Sequence, residues 1–231
     1  MRLASLDPSG TIRLRSATDS PWAVHLADLL LADDPTLPMG DLPSGTQQIW
    51  CRSGSGEAIA PGVPRWAASA WEAFDARCDA LVDPLNERRL TLWFRPHADD
   101  MLCDAHACRA FLARSKGKPI SIIADPTALL TAAMIETAPD HLVRIIETHA
   151  ATPGVDALIL TNVRIEGDGV VPTPLGEGVL DAGMLVDLVR TAWPGDRPVV
   201  LLEADLDPWA DRLADRLAGP LAGGPDPTLA D

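Results

Sequence analysis

No apolar run in this chain of 231 residues reaches the roughly 18 to 20 residues that cross a bilayer, and the opening MRLASLDPSG has no long apolar segment. A membrane partner is therefore not expected, and a cytoplasmic location is. Clusters of basic residues are missing as well: Lys and Arg stand singly or in pairs such as Arg88-Arg89, within a net charge of -14 and a pI near 4.6. Such a surface repels a phosphate backbone, so nucleic acid is not an expected partner either. The four cysteines (Cys51, Cys78, Cys103, Cys108) lack tandem CxxC spacing, which excludes a zinc ribbon and a dense disulfide framework and leaves reduced thiols.

What is present is enough for a core. The chain is 47% hydrophobic and 23% charged, which suits one soluble globular domain, or at most two. Met1 to Leu6 and Thr11 to Arg15 read as strands about an Asp7-Pro-Ser-Gly10 turn. Val24, Leu26, Leu29 and Leu30 fit a helix over 22–32. Gln47 to Cys51 reads as a strand entering Ser53-Gly-Ser-Gly56, which could present backbone N–H groups to an anion but lacks the third glycine of a dinucleotide fingerprint, Ile59 standing there instead. From about Pro64 the chain alternates helix and apolar strand. Helices are expected over 64–86, from Asp104, from a capping-box-like Thr137-Ala-Pro-Asp140, from Asp181 and from Asp207-Pro208; strands are expected over 90–95, 118–124, 156–160 and 198–202. The segment from Thr161 past Asp168 reads as a polar loop, and 219–231 as a disordered tail. Repeated βα units of this kind make a parallel sheet, open or closed into a barrel.

Strand ends concentrate the chemistry. Arg95, Asp125, Thr161 and Glu203 close four apolar strands, and the residues two before them (Trp93, Ile123, Ile159, Leu201) would share their side, with Phe94, Ala124, Leu160 and Leu202 turned to the helices. The dense run His97, Asp99, Asp100, Cys103, Asp104, His106 and Cys108 suggests a metal site in which Cys103 and His106 lie one helical turn apart. The preferred alternative has Asp104 as an N-cap and Cys108 and Phe111 packed inward.

With these motifs the C-terminal half resembles the xylose isomerase-like TIM barrels, the superfamily of sugar phosphate isomerases and epimerases that includes AP endonuclease family 2 proteins. The resemblance rests on Phe94 to His97, Asp125-Pro126, Pro174-Leu-Gly-Glu-Gly178 and Val199 to Glu203, and covers roughly 66–217. It implies an α/β TIM-type barrel, incomplete or irregular in its N-terminal quarter, as a single domain over residues 1–218. Barrels of this superfamily commonly hold a divalent metal through Glu, Asp, His and Glu at successive strand ends. Matched position by position, Asp125 and Glu203 are the retained metal ligands, Arg95 replaces the first Glu, and Thr161 or Asn162 falls at the His. The resemblance thus implies a sugar or sugar-phosphate isomerase or epimerase with catalytic carboxylates Asp125 and Glu203 and a degenerate site for Mn, Mg, Co or Zn, the metal-free form being preferred. Arg95, His97, Asn162 and Glu177 would bind a small polyhydroxylated or phosphorylated molecule. The alternative is a non-catalytic barrel that binds a small molecule or a protein, with the Arg95 guanidinium in the metal's place and bridging Asp125 and Glu203.

Overall fold

The computed structural model describes residues 3–14, 22–26, 29–30, 39–40, 42–167 and 169–214. Eight strands close a barrel in the order β1-β10-β7-β6-β5-β4-β3-β2. They are β1 (Leu3–Leu6), β2 (Ile12–Leu14), β3 (Ala23–His25), β4 (Gln48–Arg52), β5 (Thr91–Arg95), β6 (Ile120–Ala124), β7 (Val155–Leu160) and β10 (Val199–Leu202). A hairpin of β8 (Asn162–Glu166) and β9 (Gly169–Thr173) stands outside the ring. The helices are α1 (Gly56–Ile59), α2 (Ala68–Arg88), α3 (Ala105–Arg114), α4 (Ala138–Ala150), α5 (Ala182–Ala192) and α6 (Leu206–Ala214), with short 3-10 turns at Thr127–Leu129, Ala132–Thr137, Leu175–Glu177 and Glu203–Asp205.

The architecture is an α/β TIM barrel, and its irregular quarter is the N-terminal one. There β2 pairs antiparallel with both β1 and β3, while all other neighbours in the ring are parallel. A tight turn replaces a helical crossover: Asp7 Oδ1 accepts from the backbone N–H groups of Ser9 and Thr11 at 2.9 and 3.0 Å, and Gly10 supplies φ +84°.

Strand alternation sorts the apolar residues into two cores. Trp50, Trp93, Ile123, Ile159 and Val200 fill the inside of the ring. Leu92, Phe94, Ile122, Leu158, Val199 and Leu201 pack outward against the helices. Phe74 of α2 and Phe111 of α3 meet Phe94 there, with ring centroids 5.2 to 5.6 Å apart. Helix starts follow their caps: Asp104 accepts from Ala107 N at 2.7 Å and Asp181 from Met184 N at 2.6 Å.

Four expectations need correction. Residues 23–25 are a strand, because the backbone of this segment is taken up by the edges on either side: Trp22 N donates to Ile12 O, and Val24 stands in register with Ile49. Residues 162–166 and 169–173 pair as a hairpin rather than lying in a loop, with Gly167 at φ +58°. Thr137 makes no side-chain cap to α4. In β10 it is Val200 that points inward, so Leu201 faces the helices, and Glu203 opens a 3-10 turn (Glu203–Asp205) instead of continuing the inner face. The tail 219–231, with Leu217, lies outside the described residues.

Candidate functional site

The carboxyl ends of the parallel strands open on a cavity of about 710 Å³, lined among others by Asp7, Ser9, His25, Trp50, Arg95 and Glu203. This volume suits a small molecule. Trp50 and Trp93 close the ring below it. The Trp50 indole donates to Gly10 O at 2.8 Å and stacks on His25 with centroids 4.1 Å apart. Trp93 meets Trp22 edge to face at 4.8 Å. The wall is therefore aromatic on one side, with the Arg95 guanidinium 5.7 Å from the Trp50 ring.

Arg95 and Asp125 are brought together. Arg95 Nε donates to Asp125 Oδ2 at 2.8 Å, and Nη2 lies 2.5 Å from the same oxygen. The other oxygen, Oδ1, accepts from Thr127 Oγ1 at 3.0 Å and from Ala128 N at 3.2 Å. Thr127 and Thr161 share a hydroxyl contact at 2.7 Å, so the ends of β5, β6 and β7 are tied through one carboxylate. Asp125 is fully buried, whereas 18% of the Arg95 side chain stays exposed. The aspartate holds the arginine from behind, and the arginine meets the cavity.

Glu203 is not part of that pair. It is exposed at the cavity wall, and no ion pair joins it to Arg95 among the described residues. The expected bridge from Arg95 to both carboxylates therefore reaches only Asp125, because the turn at 203 carries Glu203 off the inner face. Asn162 is fully buried, and its amide is spent within the protein: Nδ2 donates to Leu175 O and Leu180 O at 2.8 Å each, and Oδ1 accepts from Val163 N and Leu180 N. It pins the 174–181 turn instead of facing a ligand. A Cβ on Gly178 would come within 2.1 Å of the Asn162 Cγ. Gly178→Ala is therefore expected to cost about 1–3 kcal/mol, measurable as a lowered urea midpoint. Glu177 is exposed on the same turn, away from the cavity lining. His97 is half-buried behind the rim, its Nδ1 accepting from Asp99 N at 3.2 Å; burial first, then the Arg52 charge, holds it below the ordinary imidazole range.

Two elements were not anticipated. Arg52 stands in register with Arg95 on the neighbouring strand and holds the buried Asp100 through two hydrogen bonds of 2.9 and 2.7 Å. The signal was in the sequence: Trp50-Cys-Arg52 and Trp93-Phe-Arg95 repeat one pattern on adjacent strands. Asp205, also buried, accepts from Leu175 N at 2.9 Å and anchors the turn at 174–177; burial, with Glu177 nearby, raises its carboxyl above the ordinary range.

The residues here do not fit a divalent metal. Both Asp125 oxygens are occupied by donors, Arg95 puts a cation on the carboxylate, and no group of three or more His, Cys, Asp or Glu able to hold an ion occurs among the described residues. Nor does the Cys103 to Cys108 run make a metal centre: Asp104 caps α3, and Cys108 and Phe111 are buried in the outer core.

Comparison with protein families and with curated proteins finds no match. Solved structures do match in fold. A D-tagatose 3-epimerase-like protein aligns with a TM-score of 0.55 at 10% identity over 85% of this chain and 79% of its own. Endonuclease IV from Thermus thermophilus aligns at 0.52 and 14% over 84% and 75%. A D-psicose 3-epimerase solved in the presence of D-fructose aligns at 0.51 and 12%, over 78% of this chain and only 63% of that one. The chain thus shares a TIM-barrel fold with these proteins, epimerases and an endonuclease among them. No helix among the described residues is long and apolar enough to cross a membrane.

Proposed function

We propose that the protein is a single barrel domain that binds a small polyhydroxylated or anionic molecule at its C-terminal mouth without a metal, with Arg95 standing where related barrels hold an ion. The Arg95–Asp125 pair carries this reading: a fully buried carboxylate with every oxygen engaged orients a guanidinium whose outer edge meets the cavity. The Trp50–His25 stack supplies an apolar face against which a sugar ring can lie. The net charge of -14 favours a small molecule over nucleic acid.

Epimerisation needs an acid and a base on either side of the reacting carbon, and Asp125 is sealed from any ligand. A second reading, a sugar isomerase or epimerase with Glu203 as base, is favoured by one observation: Glu203 is exposed in the same cavity as His25. Calorimetric titration of the whole chain with neutral and acidic sugars, with and without a chelator, separates the two. Binding that survives chelation and weakens roughly tenfold or more in Arg95→Lys, whose point charge cannot reproduce the guanidinium edge, is expected. Loss of binding on chelation, or turnover of any sugar in the panel, would refute the binding reading.

A further inference from the structure

The charged groups of the mouth are sorted by side. Arg95 ends β5 and Arg52 ends β4, in register and on the face that Trp93 and Trp50 turn inward. In the ring, β5 stands four places from β1, and β4 four places from β10. Asp7, just after β1, and Glu203, just after β10, therefore face the arginines across the opening. Asp7, Arg95 and Glu203 all line the one cavity.

The two sides differ in how far their charge is already compensated. Each arginine has a buried aspartate at hydrogen-bond distance, Asp125 behind Arg95 and Asp100 behind Arg52. Glu203 makes no ion pair among the described residues, and Asp7 has Arg13 no nearer than 3.8 Å. Burial works against ionisation of Asp7, but the hydrogen bonds from Ser9 and Thr11 and the Arg13 charge outweigh it and hold the carboxyl below its ordinary range. A molecule in the cavity meets the half-spent Arg95 guanidinium on one side and the Asp7 and Glu203 carboxylates on the other.

Resting on the ligand-binding reading above, we infer that the ligand is a hydroxylated monocarboxylate of the sugar-acid type, its carboxylate on the Arg95 guanidinium and its hydroxyls donating to Glu203 and Asp7. A planar group of one negative charge matches the outer edge of a guanidinium whose inner edge is taken. A phosphate ester brings about -1.5 to -2 charges to a rim whose cations are already compensated and whose far wall is acidic. A neutral sugar satisfies the acid side and leaves the guanidinium edge to water.

Isothermal titration of the whole chain with five- and six-carbon aldonates and uronates, their parent sugars and the corresponding phosphate esters tests this. A sugar acid is expected to bind roughly tenfold or more tighter than both its parent sugar and the phosphate ester. In Glu203→Gln, a change at an exposed turn, the preference for acid over phosphate ester should shrink several-fold because the repelling charge is gone. A parent sugar or phosphate ester that binds as tightly as the acid overturns the inference, as does a preference that Glu203→Gln leaves unchanged; in either case the ligand-binding reading stands. Failure of every probe to bind overturns both.

Discussion

Arg95→Ala should lower the stability of the fold by about 3–5 kcal/mol, because it strands the Asp125 carboxylate where no solvent reaches it. Asp125 keeps Thr127 Oγ1 and Ala128 N on one oxygen and loses every donor on the other. Those two remaining bonds place the loss near the lower end of the range. Adding Asp125→Asn should recover most of it, since an amide carries no charge to strand, and the double-mutant cycle then gives a coupling well above that of a surface pair. Urea unfolding followed by tryptophan fluorescence measures all four proteins. If Arg95→Ala unfolds at the wild-type midpoint, the pair is not what holds Asp125.

Acid should weaken the fold through a residue far from the mouth. His149 of α4 is fully buried, and neither ring nitrogen has a hydrogen-bond partner among the described residues. Burial pushes its imidazole down to about 4. With the folded value below the unfolded 6.5, the unfolded chain takes up the proton first as pH falls. The stability that a neutral His149 contributes is complete above about pH 6.5 and is lost on the way down to about pH 4, a difference of roughly 3 kcal/mol. His149→Leu removes that titration and two unpaired polar atoms. The variant should match or exceed the wild type at about pH 7 and gain on it steadily towards about pH 4.5. A stability difference that is the same at both pH values would mean that the buried imidazole is solvated or paired after all.

The fold was legible where local pattern and global demand agree. Strands over 90–95, 118–124, 156–160 and 198–202 are short, apolar and bounded by turns, and all appear within a residue or two of those limits. Where tertiary contacts decide, the pattern misleads. Val24, Leu26, Leu29 and Leu30 satisfy a helical spacing, yet the backbone between β2 and β4 is needed for the sheet. The hairpin of β8 and β9 shows no clean alternation, because burial is confined to its base at Asn162, Val163 and Thr173 and the rest of both strands stands partly or fully in solvent.

The candidate site follows the same division. Parity on β5, β6 and β7 follows from counting by two back from Arg95, Asp125 and Thr161, but in β10 the inward residues are Val200 and Leu202, so the same count from Glu203 picks the outward face and sets Glu203 beside Arg95 in error. Asn162 resembles a strand-end ligand because sequence carries no record of which carbonyls a buried amide will meet. The Arg52–Asp100 pair is readable only by comparing two strands with each other, since neither segment stands out alone.

The antiparallel β2 has a consequence for assembly of the molecule. It lets β1 and β2 pair across a short turn, so one edge of β1 is satisfied almost as soon as those residues are made. The other edge pairs with β10, Leu3 against Val199, a contact that spans nearly the whole described chain. Contacts of such separation form late. Until they do, β1 and β7 present open edges of the kind that invite pairing with other chains. The seam between β1 and β10 is therefore where an interrupted or truncated chain should aggregate, and where a chaperone has the longest time to act.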